Sequence, residues 1–280
     1  MPKQVMSFLA KTSTSSEWKE IVSCVSALVD EATFEVSPAG ITFRAMDPAR
    51  VELIDILWPS ATFEKFECNK ADKFTVRIED FAKLIKRLEA RDSIEISRSG
   101  NDSIVLRIGN ESYRSEFEFH LLESLAKSSP LPKLSFETKF VMSHPVFSQA
   151  LSDISTVSNH ITIRTSKGCV SFSGKGDAGK ALATLELSSS AIGSNKNGSE
   201  GVYEIETNTR EDTNEQSSSS YNLEYLLKMM KSIGASSSDT VKFEYSTKMP
   251  LRLEFGLGES TSRGGRIHFY LAPRVGATSE

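Results

Sequence analysis

Residues 28–59 read LVDEATFEVSPAGITFRAMDPARVELIDILWP. The stretch opens with the end of an amphipathic helix. Apolar and polar residues then alternate over 33–37, 41–45 and 51–58, which predicts three consecutive strands. Pro38-Ala39-Gly40 predicts a tight turn, because Pro presets φ and Gly supplies a positive φ. The stretch contains no catalytic motif, but its plan recurs in the second half of the chain.

The recurrence extends over both halves of the sequence. Apolar residues at helical spacing predict four amphipathic helices, over 16–30, 78–91, 144–158 and 221–234. Strands follow the first and third helices, and the predicted turn at Gly168 matches the one at Gly40. Alternating strands also follow the second and fourth helices. A helix–strands–helix–strands unit that occurs twice indicates an internal duplication.

The length of 280 residues favours two domains. We predict an N-terminal domain over 1–121, a Pro- and Ser-containing connector over 122–139, and a C-terminal domain over 140–280. Three polar segments have no counterpart in the repeat and are predicted to be loops, over 188–201, 208–220 and 258–265.

Composition excludes several classes of protein. Three widely spaced cysteines and no CxxC pair predict reduced structural thiols and no metal site. No segment approaches the roughly 18–20 consecutive apolar residues of a membrane span, so no membrane association is expected. A net charge of −4 argues against a chain coated in nucleic acid but allows one basic face on an acidic body.

The chain resembles the proliferating cell nuclear antigen family, the DNA polymerase sliding clamps of archaea and eukaryotes. The residues that carry the resemblance are LVDEATFEVSPAGITFRAMDPARVEL (28–53), DFAKLIKRL (80–88), Met249-Pro250-Leu251 and HFYLAPRV (268–275). The resemblance implies an α+β, duplicated DNA-clamp fold, in which two similar domains each carry two helices on antiparallel sheets. It further implies a closed homotrimer, with helices lining the hole and strands forming the outer wall.

The family architecture predicts which charged residues meet DNA. Basic residues on the wet faces of the helices would contact double-stranded DNA without reading its sequence: Lys19, Lys83, Lys86, Arg87, Lys228 and Lys231. Solvation of a helix face is the alternative for any one lysine, but Lys83/Lys86 recurs as Lys228/Lys231 and favours DNA. The third helix offers Gln149, Ser152 and Thr156 where the family often has basic groups. We therefore expect a weak and salt-sensitive grip on DNA.

Ring closure requires a subunit interface. The resemblance implies that the strand over 111–120 of one chain pairs with the strand over 179–187 of the next. The predicted interface side chains are Tyr113, Phe117, Phe119, Leu182, Leu185 and Leu187. The alternative is that both are interior or capped strands of a monomer. A heterotrimeric clamp with sister subunits is an alternative assembly, and a checkpoint clamp is a more distant one.

The resemblance also implies a pocket for short peptide motifs of partner proteins. Its matching residues here are Met46, Arg50, Leu53, Leu131, Pro132, Pro250, Tyr270, Leu271, Ala272 and Pro273. Arg50 departs from the smaller or His-like residues of the family. The partners that the resemblance implies are DNA polymerase, clamp loader, flap endonuclease and DNA ligase. Localisation would be cytoplasmic and nucleoid-associated in an archaeon, or nuclear in a eukaryote.

A nucleotide-binding enzyme is the rival class, because the segment Gly174–Lys180 satisfies both GxGxxG and GxxxxGK. Ala181 follows where a Ser or Thr would hold Mg²⁺, and the residues after Lys180 alternate as a strand rather than opening a helix. We therefore predict a turn between strands there. The four histidines have no ligand spacing, and no Gly-x-Ser-x-Gly elbow exists. No catalytic residues, metal or cofactor are expected, and the protein is predicted not to be an enzyme.

Overall fold

The structure is a computed structural model that describes residues 6–98, 100, 102–123, 129–166, 168–186, 202–207, 217–234 and 239–274. The chain divides into two compact units. Unit 1 comprises 1–130 and 256–267, and unit 2 comprises 131–255 and 268–280. The domain and connector boundaries predicted from the sequence stay a prediction.

Unit 1 begins with β1 (Phe8–Thr12), α1 (Ser16–Leu28), β2 (Glu31–Ser37), β3 (Gly40–Met46), β4 (Glu52–Pro59), β5 (Lys65–Cys68) and β6 (Asp72–Arg77). It continues with α2 (Ile78–Ile85), β7 (Ser93–Arg98), β8 (Ser103–Gly109) and β9 (Arg114–His120). All of its strand pairs are antiparallel, in the orders β5-β1-β7-β8-β9 and β4-β3-β2-β6. Two short 3₁₀ helices lie at Ser60–Thr62 and Gly258–Arg263.

An aromatic cluster joins the two helices of unit 1 to its sheets. Trp18 on α1 is completely buried, and its ring centroid lies 4.9 Å from that of Trp58 and 5.9 Å from that of Phe81 on α2. The rings meet edge to face, which is the favoured arrangement for aromatic pairs. The first helix is therefore fixed to β4, within residues 28–59, through the contact of Trp18 with Trp58.

Unit 2 begins with β10 (Thr138–Ser143), α3 (His144–Ser155), β11 (His160–Ser166), β12 (Cys169–Gly176), β13 (Gly179–Glu186), β14 (Val202–Thr207) and β15 (Ser217–Asn222). It continues with α4 (Leu223–Ser232), β16 (Thr240–Tyr245), β17 (Leu251–Gly256) and β18 (Arg266–Leu271). Its strand orders are β14-β10-β16-β17-β18 and β13-β12-β11-β15. Phe147 on α3 packs on Phe172 and Phe243, with centroids 5.5 and 4.8 Å apart.

The predicted duplication is confirmed. Within the described residues each half follows one order: a strand, a helix, five strands, a helix and three strands. The sheet orders correspond as well, since β5-β1-β7-β8-β9 becomes β14-β10-β16-β17-β18 and β4-β3-β2-β6 becomes β13-β12-β11-β15. The α+β assignment with antiparallel sheets is likewise confirmed.

The structure differs from several predicted element bounds. The helix predicted over 78–91 ends at Ile85, because the next residues form a turn closed by the Glu89 N–H to the Asp92 carboxylate at 2.8 Å. The polar loop predicted over 208–220 is wrong at its end, where β15 begins at Ser217. A run of serines predicts a loop, yet Ser217 and Ser219 are buried and face the core of unit 2. Residues 188–201 and 208–216 lie outside the described residues.

Candidate DNA-facing, interface and partner-binding surfaces

The predicted DNA-facing cation of α1 is engaged within unit 1. The Lys19 ammonium donates to the Leu88 carbonyl, and its side chain is only half-exposed. Glu17 and Glu20 on the same helix are both 7% exposed. Lys19 therefore offers a smaller positive surface than the sequence suggests.

The three predicted cations after β6 differ in their surroundings. Lys83 is exposed, but its ammonium lies 2.9 Å from the Glu79 carboxylate and 3.4 Å from that of Asp80. The hydrogen bond from Lys83 to Glu79 raises the pKa of Lys83. Lys86 and Arg87 follow the end of α2 and are exposed, with no ion pair among the described residues. The positive charge in this segment is therefore concentrated on Lys86 and Arg87.

The helices of unit 2 are unequal. On α4, Lys228 and Lys231 are exposed, one turn apart. The α4 N-terminus is capped by the Asn222 side chain, which accepts the Glu224 N–H at 2.9 Å. In contrast, α3 carries no Lys or Arg, and Gln149 on α3 donates to Asp153 at 2.7 Å. Of the two helices described in unit 2, α4 alone carries lysines.

Two strands of the predicted interface lie at sheet edges. β9 ends the five-stranded sheet of unit 1, and β13 ends the four-stranded sheet of unit 2. Each has one side without a strand partner among the described residues, and unpaired backbone groups of that kind invite a further strand.

The predicted interface side chains are not all on one face. Tyr113 is 64% exposed in the turn before β9, whereas Phe117 and Phe119 are half-buried within it. Leu182 is 62% exposed, while Leu185 is half-buried and three residues away, so the two leucines lie on opposite faces of β13. Leu187 lies outside the described residues.

In unit 1, the predicted partner-pocket residues lie around the loop between β3 and β4. Met46 is half-exposed and Arg50 is exposed, but Leu53 is only 3% exposed. Arg50 adopts a φ of 59°, in the left-handed region. Leu53 would therefore support a pocket rather than form its open surface.

The anchor of this loop is Asp47, which sequence reasoning missed. Its buried carboxylate accepts N–H groups from Ala49, Val51 and Glu52 at 3.2, 2.7 and 2.7 Å. Three such bonds fix the backbone around Arg50. An Asp before Pro48 is a signal for a turn of this kind.

In unit 2, the predicted pocket residues separate into exposed and buried sets. Leu131 is 39% exposed and Pro132 is exposed, while Pro250, Ala272 and Pro273 are half-exposed. Tyr270 and Leu271 are buried, at 8% and 1% exposure. Nearby, Met249 is 40% exposed, and its carbonyl accepts the Tyr221 hydroxyl at 2.9 Å. Burial raises the pKa of Tyr221, so this hydroxyl remains a donor.

The segment Gly174–Lys180 forms the hairpin between β12 and β13, as predicted, with Gly176 directly opposite Gly179. No helix follows it, so the requirement of a phosphate-binding loop is not met. Within the described residues, no three His, Cys, Asp or Glu side chains are grouped to hold a metal ion. No helix in the described part of the chain is long and apolar enough to cross a membrane.

These features define a class: a duplicated α+β protein with paired helices on antiparallel sheets, in which β9 and β13 are edge strands. The model of the proliferating cell nuclear antigen N-terminal domain matches residues 7–126, and that of the C-terminal domain matches residues 130–274. The chain therefore belongs to the proliferating cell nuclear antigen family.

Individual relatives agree with this assignment. The chain is 42% identical over 270 residues to the DNA polymerase sliding clamp of Nitrosopumilus maritimus, covering 96% of this chain and 99% of that protein. It is 40% identical over the same span to the DNA polymerase sliding clamp of Cenarchaeum symbiosum, with the same coverage. The crystal structure of PCNA from Thermococcus kodakaraensis has a TM-score of 0.82 at 21% identity, covering 95% of this chain and all of that one. That likeness establishes the fold.

Proposed function

We propose that this protein is a sliding clamp subunit, which encircles duplex DNA and tethers a replicative polymerase as a processivity factor. The match of both halves to the family, with relatives named DNA polymerase sliding clamp over 96% of the chain, carries the proposal. The mechanism is topological. A polymerase bound to a ring on DNA gains a high effective concentration at the primer end without any base contact. The protein catalyses no reaction itself.

In the proposed ring, DNA contact falls mainly on Lys86, Arg87, Lys228 and Lys231, because these cations are exposed without ion pairs in the described residues. Lys19 and Lys83 contribute less, since each is engaged by a neighbouring group. Contacts of this kind go to phosphates and carry no sequence information. Four such cations per chain support weak binding that falls steeply with salt.

We infer that three copies of the chain close the ring, with β9 of one copy pairing with β13 of the next. The open edges of both strands support this arrangement. In a closed cyclic assembly these edge strands pair with each other, so their backbone groups are not left open to aggregation. The relatives in Nitrosopumilus maritimus and Cenarchaeum symbiosum are named DNA polymerase sliding clamp without a subunit number, which favours a homotrimer over the heterotrimeric alternative.

Partner proteins are proposed to dock short peptide motifs on surfaces of each unit: around Met46 and Arg50 in unit 1, and around Leu131, Pro132 and Pro273 in unit 2. Exposed apolar side chains held by prolines and by the Asp47-anchored loop would bind at low ordering cost. The proposed partners are DNA polymerase, clamp loader, flap endonuclease and DNA ligase. A DNA-associated location, in the nucleoid or the nucleus, follows from this role.

The assembly is tested by the solution mass from light scattering at several concentrations. We expect three times the 30.9 kDa mass of the chain. Tyr113→Asp and Leu182→Asp place charges on the proposed interface and should shift the mass toward the monomer. Because both side chains are more than 60% exposed, each change should alter folding stability by less than about 0.5 kcal/mol.

Met249→Asp is the matched control, because Met249 is also exposed and apolar but lies outside β9 and β13. It should leave the trimer intact. A wild-type chain that stays monomeric or dimeric over the whole concentration range would contradict the homotrimer.

A further inference from the structure

The four-stranded sheet of unit 2 has one face packed on helices and one face open. Phe172 on β12 contacts Phe147 of α3, and a Cβ added at Gly174 would lie 2.5 Å from Ile154 Cγ2 of α3. Because side chains alternate along a strand, Ser173 and Lys175 on β12 face the opposite side. This open face is therefore on the far side of the sheet from the α4 lysines proposed to meet DNA.

A concavity of about 660 Å³ on this face is lined by five cations, which we call the basic basin: Arg164, Lys175, Lys180, Lys248 and Arg274. Serine and threonine hydroxyls complete most of the lining, and no carboxylate is among its described residues. None of the five cations forms an ion pair within the described part of the chain. Asp177 lies in the turn between Lys175 and Lys180 but does not line the basin.

The pairing register places two of these cations side by side. Lys175 on β12 is directly opposite Lys180 on β13, so both ammonium groups are on the same face. Like charges at directly opposed positions destabilise a sheet. An anion between them would remove this repulsion.

The duplication supplies an internal comparison. On the equivalent face of unit 1, Arg44 on β3 pairs with Asp55 on β4 at 2.8 Å, and Glu35 is directly opposite Lys73. Cations and carboxylates therefore balance in unit 1 and do not balance in unit 2. The excess positive charge is specific to one copy of the repeat, so it is not a general consequence of the fold.

The backbones of the two loop cations, Lys248 and Arg274, are hydrogen-bonded to the sheet. The Lys248 N–H donates to the Ser218 carbonyl at 3.3 Å, and the Arg274 N–H donates to the Ser220 carbonyl at 2.8 Å. Lys248 adopts a φ of 57°, and this left-handed backbone is held by the turn. Burial and the charge of Arg274 lower the pKa of His160, which also lines the basin. The basin is therefore both positive and built on fixed backbone.

We propose that the basic basin binds the phosphate backbone of duplex DNA outside the ring. The charge is complementary to phosphate, and hydroxyl groups are common partners of phosphate oxygens. The basin crosses four strands, roughly 14 Å at the usual strand spacing, which is enough for several phosphates. The inference rests on the proposed function in one respect, because it takes the ring as closed. The DNA segment bound at the basin is then a different one from the segment that the helix lysines contact.

The lining also argues against other occupants. Its described lining residues include no Phe, Tyr or Trp on which the bases of a single strand could stack, and His160 is the one ring among them. These residues also include no large apolar side chain to hold the anchor residue of a protein partner. A duplex backbone requires neither of these features.

Covalently closed circular DNA tests the proposal, because it cannot thread a closed ring without a loader. We expect the wild-type trimer to bind closed circles at 50 mM salt, measured by gel mobility. Lys175→Gln with Lys180→Gln should weaken this binding at least about fivefold. It should also make the negative slope of log K against log salt shallower by about 2. Circular dichroism melting and light scattering verify that each variant is folded and trimeric.

Two matched double variants complete the design. Lys70→Gln with Lys73→Gln removes two exposed lysines of unit 1 and should bind closed circles like the wild type. Lys228→Gln with Lys231→Gln removes the α4 lysines and should also leave this binding unchanged, while weakening the binding of linear duplexes that can thread the ring.

Equal binding of closed circles by the basin variant and the wild type would overturn the inference, as would no binding by the wild type. If the basin binds polyglutamate but not closed circles, its ligand is an acidic protein segment and the proposal of DNA is overturned. Failure of the proposed function is seen separately, as loss of the trimer or of binding through the α4 lysines.

Discussion

Two features of unit 1 depend on single residues: the tight turn at Gly40, and the contacts of the Lys19 and Lys83 ammonium groups. Gly40 has a φ of 138°, as the predicted Pro38-Ala39-Gly40 turn requires. The sequence also identified Lys19 and Lys83 as exposed cations, but it could not show that neighbouring oxygens engage them. Such contacts depend on side-chain rotamers and on the turn after α2, neither of which follows from helical periodicity. Asp47 was missed for the same reason.

Gly40→Ala should destabilise unit 1 strongly. A Cβ there would lie 2.1 Å from the Trp58 carbonyl oxygen, in addition to the strain of a positive φ. Gly179→Ala is the matched control, because Gly179 has a φ of 142° with nothing within 4 Å of the added Cβ. We expect Gly40→Ala to lower the free energy of unfolding by at least about 2 kcal/mol more than Gly179→Ala, measured by urea denaturation. Equal losses would show that no collision occurs.

His144 should make the stability of unit 2 depend on pH. It is 3% exposed at the start of α3, and burial lowers its pKa from the usual 6.5. The unfolded chain therefore binds the proton more readily, and stability is present above pH 6.5 and lost as pH falls toward the lowered pKa. We expect His144→Gln to flatten the slope of the unfolding free energy between pH 6.5 and 5, which reaches at most about 1.4 kcal/mol per pH unit for one proton.

His120→Gln is the control for this measurement, because His120 is exposed at the end of β9. It should leave the pH slope unchanged. If His144→Gln and the wild type have the same slope, burial of His144 does not control the acid sensitivity of unit 2.

At the scale of elements, hydrophobic periodicity predicted the four helices and most strands. It did not predict where each element ends, or the strands that are rich in polar residues. The helix after β6 ends at Ile85, because Lys86 and the residues after it form a turn. β15 reads SSSSYN, a composition typical of loops, but its alternate residues Ser217 and Ser219 face the core, and the hydroxyls of Ser217 and Thr138 are hydrogen-bonded at 2.6 Å. Buried hydroxyl pairs of this kind carry no hydrophobic signal.

The ion pairs of α2 should modulate DNA binding. Glu79→Gln removes the closer of the two carboxylates on Lys83, which makes that ammonium available to a phosphate. We expect about twofold tighter binding of a linear duplex at low salt and a steeper salt dependence, measured by fluorescence anisotropy. Glu111→Gln changes the net charge equally at an exposed site after β8 and should have a smaller effect. Identical affinities for the two variants would exclude Lys83 from the DNA surface.

At the scale of the whole chain, the duplication was readable from sequence because the same order of patterns occurs twice. The resemblance to the sliding clamp family rested on short motifs, and the family models now cover nearly all of the chain. The interface and partner residues could be placed only by that resemblance. One chain shows each edge strand once, so periodicity alone cannot indicate what pairs with it.

Topological retention tests the central claim most directly. The chain is allowed to thread a linear duplex fixed at one end to a bead, and the free end is then blocked by a bulky protein. We expect the clamp to stay on the DNA through a high-salt wash that removes electrostatic binding, and to be released when a restriction enzyme cuts the duplex. Loss of the protein in the wash despite the blocked end would contradict encirclement.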